Sequence, residues 1–239
     1  MSRALLFVRS SLFLLIMVLV TLIWTPVCLL VAPLPYRQRY WVTQRWNFFI
    51  VWLGKVLCGM RYEIRGLENL PDAPAILLSK HQSAWETMGF QLIFPPQVWV
   101  LKKELLRVPF FGWGLAMLSP IAIDRSSRRQ ALQQLVDQGR QRLAAGFYIV
   151  IFPEGTRIAP GKRGKYRAGG ARLAVQTGTP VLPVAHNAGL RWGKNAFLKY
   201  PGMITVSIGP LIQPDDNAES LTRRVEDWIE NEMPHLDTR

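Results

Sequence analysis

The sequence predicts an α/β fold with a largely parallel β-sheet, preceded by two hydrophobic N-terminal helices. Three observations support this prediction. The chain has 239 residues, which suits one domain with a small appendage better than two full domains. No Asp or Glu precedes Glu63, and the N-terminal stretch is strongly apolar. Beyond that point short apolar strands alternate with helical patterns, which is typical of a parallel sheet covered by helices.

The first helix is predicted from an unbroken apolar run. Every residue between Arg9 and Arg37 is uncharged, and a helix needs about 20 such residues to cross the hydrocarbon core of a bilayer. A cleavable signal peptide has a shorter apolar core of about 7–15 residues, followed by a small-residue cleavage site that is not evident here. We therefore expect a membrane helix, as a full span or as one arm of a re-entrant hairpin. The nearly balanced basic residues on its two sides do not settle its orientation.

The second helix is expected directly after the first. Its tryptophans Trp41, Trp46 and Trp52 are interrupted by basic residues, and this mixture is typical of the headgroup zone of a membrane. We therefore expect residues 1–62 to form a two-helix membrane anchor and residues 63–239 to form the globular domain.

Short strands and helices are expected throughout the globular domain. Apolar runs predict strands at residues 75–79, 98–101, 120–123, 147–152, 181–185 and 204–208. A helical pattern covers residues 128–145 and stops at Gly146, a suitable residue for the end of a helix. A second pattern over residues 220–233 predicts a closing helix that docks on the core.

The balance of charge indicates an anionic partner. Lys and Arg number 29 against 16 Asp and Glu, a formal net charge of +13. A phospholipid surface, a phosphorylated substrate and nucleic acid all fit this balance. Between Glu154 and Asp215 the chain has basic residues and no acidic one, so we expect a basic face there, with an ordinary solvated face as the alternative. Cys28 and Cys58 lie in apolar sequence and do not suggest a disulfide framework.

A histidine and an acid follow the first strand of the globular domain. His81 and Glu86 stand five positions apart in KHQSAWE, at the carboxyl end of a strand, where α/β sheets collect ligands. A carboxylate presented across the turn into a helix can hold one imidazole nitrogen and leave the other as a base near neutral pH. The same pair is also common as a structural hydrogen bond, so both readings stay open from the residues alone.

The segment FPEGTR, residues 152–157, follows another predicted strand. The turn at Gly155 offers backbone N–H groups, and Arg157 adds a forked donor that suits a phosphate or a carboxylate. The segment therefore predicts an anion cradle. Glu154 cannot bind an anion, and we expect it to hold Arg157 or the turn.

Two more basic residues, Lys103 and Arg125, follow other predicted strands and could add anion donors to the same cleft, although single surface charges are usually just solvated. The usual motifs of serine hydrolases, P-loop enzymes and thiolate zinc sites do not occur. A base and anion donors without an evident nucleophile favour direct transfer of an activated group to a substrate hydroxyl.

Four blocks, KHQSAWE, KKEL…GWG…IAIDR, FPEGTR and VLPVAHNAG, resemble in content and order those of the glycerolipid acyltransferase family. The likeness runs from about Gly66 to Gly209 and is strongest to 1-acylglycerol-3-phosphate (lysophosphatidic acid) acyltransferases. It implies a mixed sheet wrapped by helices and an active site on the cytoplasmic face of a membrane, the inner membrane if the chain is bacterial. It also implies an acyl thioester of coenzyme A or acyl carrier protein as donor, lysophosphatidic acid as acceptor and phosphatidic acid as product. An anionic phospholipid membrane is an expected partner, and neither a cofactor, a metal nor nucleic acid is expected.

The resemblance also implies roles for residues. His81 would be the general base and Glu86 its orienting partner. The expected contacts to the acceptor's phosphate are Arg125, Glu154, Gly155, Thr156 and Arg157. Further anion or donor contacts are expected from Lys103 and Pro183.

One position departs from the family pattern, because Glu86 stands where Asp is usual. Acyltransferases that act on ornithine lipid or on lipid A precursors are therefore alternatives. A non-catalytic basic protein of the membrane surface is the alternative from another class, but it leaves KHQSAWE and FPEGTR unexplained.

Overall fold

A computed structural model describes residues 2–124 and 126–236 as an α/β structure. The helices are α1 (Arg3–Leu30), α2 (Tyr36–Cys58), α3 (Trp85–Ile93), α4 (Phe111–Ala116), α5 (Arg128–Ala144), α6 (Gly169–Thr177) and α7 (Ala218–Leu236). The strands are β1 (Met60–Arg65), β2 (Ile76–Ser79), β3 (Gln97–Lys102), β4 (Ile121–Ile123), β5 (Tyr148–Ile151), β6 (Val181–His186) and β7 (Gly202–Ile208).

The sheet has the strand order β1-β7-β6-β2-β5-β3-β4. Every neighbouring pair is parallel except β6 and β7, which are antiparallel. The prediction of a mixed, largely parallel sheet is thus confirmed. Because β2, β3 and β5 run in the same direction, the segments that follow Ser79, Lys102 and Ile151 meet at one edge of the sheet.

Helices cover both faces of the sheet, as the alternation of side chains along each strand requires. On one face Leu77 packs in a core with residues of α1, α2 and α3, among them Trp85 and Phe90. On the other face Ile76 and Leu78 pack in a second core with residues of α5, α6 and α7. The strand β2 therefore lies at the centre of the molecule, buried on both sides.

Six strands and the helices near residues 128–145 and 220–233 occur where the sequence predicts them. The strand β1 was not predicted, because its sequence MRYEIR carries three charged residues and reads as surface. It is an edge strand paired only with β7 in the described sheet, so its outer residues tolerate water.

The N-terminal helices differ from each other in character. By length and composition α1 can cross a membrane, and it is the one helix of the described residues that passes this test. Both expected N-terminal helices are present, and α2, which was expected along the headgroups and not across the membrane, packs on α1. Phe13 of α1 and Ile50 and Leu53 of α2 are buried in the core shared with the sheet, so the two helices are attached to the globular part through apolar contacts.

Candidate active site

The His81–Glu86 pair lies at the carboxyl end of β2, where the chain turns into α3. His81 Nδ1 is 2.8 Å from Glu86 Oε1. The same oxygen accepts the backbone N–H groups of Gln82 at 2.9 Å and of Ser83 at 2.8 Å. These N–H groups precede the helix and have no partner within it, so a carboxylate in the first turn of α3 satisfies them. With the expected spacing of five residues, the backbone N–H groups hold the carboxylate, and the carboxylate orients the imidazole.

The ring of His81 is fixed on a second side by an aromatic contact. It stacks on Phe152 with ring centroids 3.8 Å apart and planes 10° from parallel. Because the carboxylate accepts the proton of Nδ1, Nε2 is left without a proton and can accept one from a substrate. The side chain is 14% exposed and lines a cleft, so this nitrogen is within reach of a bound molecule.

Glu86 stays ionised although it is completely buried. Burial by itself raises the pKa of this carboxyl, but the hydrogen bond from His81, the electrostatic attraction to that ring and the N–H of Ser83 outweigh it and hold the pKa below its ordinary value. A charged carboxylate in this place stabilises a protonated His81 better than a neutral acid would.

Another histidine, His186 at the end of β6, is completely buried next to Glu86. Its Nδ1 accepts the N–H of Ala188 at 3.3 Å, so Nε2 carries the proton and donates it to the carbonyl oxygen of Lys80 at 2.8 Å. His186 Nε2 is 3.9 Å from Glu86 Oε1. Burial lowers the pKa of His186, which keeps the imidazole neutral. The sequence singled out its block but not this residue, since a lone histidine after a strand carries no signal of its own.

Of the two partners expected for Glu154, the structure shows contacts of the turn and none with Arg157. Its carboxylate is buried beneath the turn and does not meet Arg157 or the cleft surface: Oε1 accepts Lys80 Nζ at 2.9 Å and the N–H of Gly164 at 3.1 Å. Oε2 accepts the backbone N–H of His81 at 3.1 Å. Glu154 therefore does not bind phosphate; it ties FPEGTR to the backbone of the histidine.

Lys80 holds this arrangement from inside the protein. It is 1% exposed, and besides Glu154 it donates to Glu230 Oε1 of α7 at 2.8 Å. Tyr166 OH donates to the same Glu230 oxygen at 2.8 Å. The closing helix α7 is thus connected to the backbone of His81 through three successive hydrogen bonds, from Glu230 to Lys80, from Lys80 to Glu154 and from Glu154 to the N–H of His81. Sequence reasoning missed Lys80, because a lysine next to a strand is ordinarily a surface residue.

The turn that we predicted as an anion cradle lies at the cleft. Gly155 adopts the left-handed backbone conformation with φ 68°, which a residue with a side chain rarely adopts. Gly155 and Arg157 line the cleft. Other basic residues of the same acid-free run line it too: Lys165, Arg167 and Arg172. The expected basic face thus borders the cleft. Thr156 instead points outward and accepts Lys194 Nζ at 3.4 Å.

Two other expected residues, Lys103 and Pro183, are not brought to the cleft surface. Lys103 is exposed and forms an ion pair with Asp124, whose pKa this contact lowers. Pro183 is buried in the middle of β6 beside Leu78, away from the residues that line the described cleft. Arg125 lies outside the described residues. The position next to Lys103, Lys102, does line the cleft.

The cleft itself is large and mostly apolar. Its volume is about 1290 Å³, and it reaches from His81 to a wall formed by α1, where Met17, Thr21 and Leu22 line it. Trp46 of α2 and Phe110 beside α4 close it further. Within residues 2–124 and 126–236 no group of three or more His, Cys, Asp or Glu side chains is arranged to hold a metal ion. The site thus joins one base, a basic border and a long apolar pocket.

Comparison with known proteins agrees with this geometry. The family model described as Acyltransferase matches residues 61–187. A 1-acyl-sn-glycerol-3-phosphate acyltransferase of Pseudomonas aeruginosa is 48% identical over 235 residues, which cover 96% of this chain and 91% of that protein. One from Limnanthes alba is 31% identical over 202 residues, covering 83% and 71%.

Among solved structures, the crystal structure of the 1-acyl-sn-glycerophosphate (LPA) acyltransferase PlsC from Thermotoga maritima matches with a TM-score of 0.78. The match covers 97% of this chain and 98% of that one at 22% identity. At this level of identity the likeness concerns the fold.

Proposed function

The chain belongs to the glycerolipid acyltransferase family, and on that premise we propose that it transfers an acyl chain from a thioester to the free hydroxyl of 1-acylglycerol-3-phosphate. The product is phosphatidic acid, a precursor in phospholipid biosynthesis. Support comes from the names of its relatives, which share up to 48% of their residues with it, and from a site that offers a base, a basic border and an apolar pocket together.

The chemical step that we propose uses His81 as general base. Its Nε2 takes the proton of the acceptor hydroxyl while that oxygen attacks the thioester carbonyl carbon. When the tetrahedral intermediate collapses, the carbon–sulfur bond breaks, and the departing thiolate receives the proton from the imidazolium. Glu86, 2.8 Å from Nδ1, holds the tautomer and stabilises the positive charge on the ring between these two events.

The phosphate of the acceptor is assigned to the basic border of the cleft. Arg157 has no ion-pair partner in the described part of the chain, and its planar fork can bind two phosphate oxygens. The backbone of Gly155 lies in the same turn as Arg157. The side chain of Arg167 packs so close to Gly155 that a Cβ atom on residue 155 would lie 3.5 Å from it. Arg125 stays a candidate from the sequence alone.

The donor in this proposal is acyl coenzyme A or acyl carrier protein. Both present the acyl group as a thioester on the same phosphopantetheine arm, so the cleft chemistry serves either. The apolar wall formed by α1 suits an acyl tail.

We further propose that residues 1–62 anchor the chain in an anionic phospholipid membrane, with residues 63–239 as catalytic domain on the cytoplasmic face. In a bacterium this would be the inner membrane. The support is that α1 can span a bilayer by length and composition and that the same helix lines the cleft, so a lipid acceptor could reach His81 without leaving the membrane.

The single observation that carries the proposal is the pair of His81 and Glu86 opening into an apolar cleft with a basic border. Purified full-length protein should release thiol from an acyl thioester when lysophosphatidate is present. Glycerol-3-phosphate, lyso-ornithine lipid and a lipid A precursor serve as comparison acceptors, and each donor is tested separately. Faster release with one of these comparison acceptors would overturn the assigned acceptor, and release with none would overturn the assigned activity.

A further inference from the structure

Residues 102–113, here named the rim segment, expose an unusual amount of apolar surface. The segment reads KKELLRVPFFGW and follows β3. Its large apolar side chains are between 38% and 46% exposed, namely Leu105, Val108, Phe110, Phe111 and Trp113. Scattered single apolar residues on a surface are normal, but five within nine positions form a patch that marks an interaction site.

The backbone of the rim segment adopts a strained conformation at Phe110. Phe110 has φ 60° and ψ −63°, and the N–H of Phe111 donates to the carbonyl oxygen of Pro109 at 2.7 Å. This is a classic γ-turn, which is rare and strained, above all for a bulky residue. The turn leaves the adjacent side chains of Phe110 and Phe111 38% and 46% exposed, which would be unfavourable if they only met water.

The patch continues onto the apolar surface of α1. Thr25 of α1 donates from Oγ1 to the carbonyl oxygen of Phe110 at 3.2 Å. Near this contact α1 exposes Leu22, Ile23 and Leu29. The rim segment therefore adjoins the exposed apolar surface of a 28-residue helix, and a bilayer that surrounds this helix would also reach the rim segment.

Basic residues lie within the rim segment beside the apolar ones, and one of them, Lys103, is ion-paired with Asp124. Lys102, Lys103 and Arg107 are exposed, against the single acid Glu104. Aromatic and aliphatic side chains bordered by Lys and Arg are the composition of the membrane interface, where the rings lie at headgroup depth and the cations meet anionic lipid.

We propose that the rim segment inserts into the interfacial zone of an anionic lipid leaflet and forms the entrance through which a lipid acceptor passes from the leaflet into the cleft. Leu105, Pro109 and Phe110 line the cleft that leads to His81, so an inserted rim segment opens the cleft to lipid rather than to water. This proposal rests on the proposed function for the identity of the acceptor, but the insertion itself does not depend on it.

A protein partner is the other occupant to consider, above all an acidic acyl carrier protein. Such a partner would match the basic residues but would leave the neighbouring apolar surface of α1 uncovered. A bilayer covers both surfaces at once, which is why we favour it.

The insertion is tested by depth measurement on the full chain. Val108→Cys and Trp113→Cys variants receive an environment-sensitive fluorophore and are reconstituted in phosphatidylcholine–phosphatidylglycerol vesicles that contain a lipid-borne quencher. The matched control is Arg223→Cys, an exposed site on α7 across the sheet. Unsubstituted protein, whose Cys28 and Cys58 are buried, measures background labelling. We expect strong quenching at positions 108 and 113 and little at 223; equal quenching at all three would overturn the proposal.

A kinetic test asks whether the inserted segment delivers the acceptor. Val108→Ser/Trp113→Ser removes two exposed side chains that do not line the cleft. Its KM for lysophosphatidate presented in vesicles should rise on the order of tenfold, because their burial in the interface is lost. Turnover of a short-chain acceptor dissolved as monomer should not change. Leu67→Ser, which removes an apolar residue 51% exposed elsewhere, should change neither value. Equal KM values for the double variant and unsubstituted protein would overturn delivery by this segment.

The outcomes separate the two proposals. If no acceptor supports turnover but positions 108 and 113 are quenched, the proposed function fails and the insertion stands. If fluorescence at position 113 responds to acyl carrier protein in detergent and not to vesicles, the segment docks a protein and the insertion is overturned.

Discussion

Lys80 Nζ lies 2.9 Å from Glu154 Oε1 in the interior of the protein, and neither side chain reaches solvent. Lys80 directly precedes His81, and Glu154 Oε2 accepts the backbone N–H of His81. The ion pair therefore fixes the backbone that carries His81, the proposed general base. A buried pair of this kind is costly to break, because the remaining charge has no water to solvate it.

Lys80→Met should destabilise the protein by about 3–5 kcal/mol, since it leaves Glu154 as a buried charge, and Glu230 as a partly buried one, without their cation. Urea unfolding in detergent measures this loss. Adding Glu230→Gln should recover part of it. As a control, Arg65→Met breaks the exposed Arg65–Glu63 pair and should cost no more than about 1 kcal/mol. Equal losses for the two single variants would contradict a structural role for the buried pair.

His81→Ala should lower turnover by about 10²- to 10⁴-fold, the usual contribution of a general base. Because the ring lies at the cleft surface, the unfolding temperature and membrane binding should change little. His235→Ala replaces an exposed histidine near the end of α7 and should have wild-type activity. Near wild-type turnover of the His81 variant would rule out the proposed mechanism.

Glu86→Gln should reduce kcat far more than Glu86→Asp, because the negative charge that stabilises protonated His81 is lost in the first variant and kept in the second. Both changes disturb the bonds to Gln82 and Ser83, so similar losses of stability are expected. Measuring both kcat and the midpoint of unfolding for each variant separates the loss of catalysis from the loss of stability. A Gln variant as active as wild type would reduce Glu86 to a structural residue.

The free energy of unfolding should decrease as the pH falls below neutrality, because the buried His186 must then be protonated. Its pKa is lowered by burial in the folded protein, so its contribution is complete above the unfolded value of about 6.5 and is lost as the pH falls below it. Glu86, Lys80 and His81 are the charged or titratable groups around it. The melting temperature of His186→Gln should depend less on pH between about 7 and 5 than that of wild type. An unchanged slope would show that another group is responsible.

Arg157→Lys should raise the KM for lysophosphatidate and affect the thioester donor less. Lys keeps the charge but replaces a planar fork by a single point contact. If Arg157 only positions the phosphate, kcat falls less than kcat/KM. Varying each substrate separately in detergent tests this, and a change confined to the donor KM would assign the turn to the thioester instead.

Much of the fold followed from short-range patterns. The runs of β-branched and apolar residues at 147–152 and 181–185 predict β5 and β6, because strand formation depends on neighbours along the chain. The pairing of His81 with Glu86 was also predictable, since a turn into a helix places residues five apart within reach. The strand β1 was missed for the corresponding reason: its local sequence is polar, and only its pairing with β7 makes it a strand.

By itself the sequence determined the strands and helices around the site, the base with its carboxylate, and the excess of positive charge that borders the cleft. Tertiary structure decided what Glu154 does. From FPEGTR alone we expected Glu154 to hold Arg157 or the turn, but its cation is Lys80, 74 positions away. Lys80 in turn contacts Glu230, 150 positions farther along the chain. Local patterns reflect periods of two and 3.6 residues, whereas such contacts depend on which strands lie side by side and on which helix covers them. The parallel pairing of β2 with β5 brings the two loops together, and the docking of α7 supplies the second carboxylate, so the burial of Lys80 follows from packing of the whole chain.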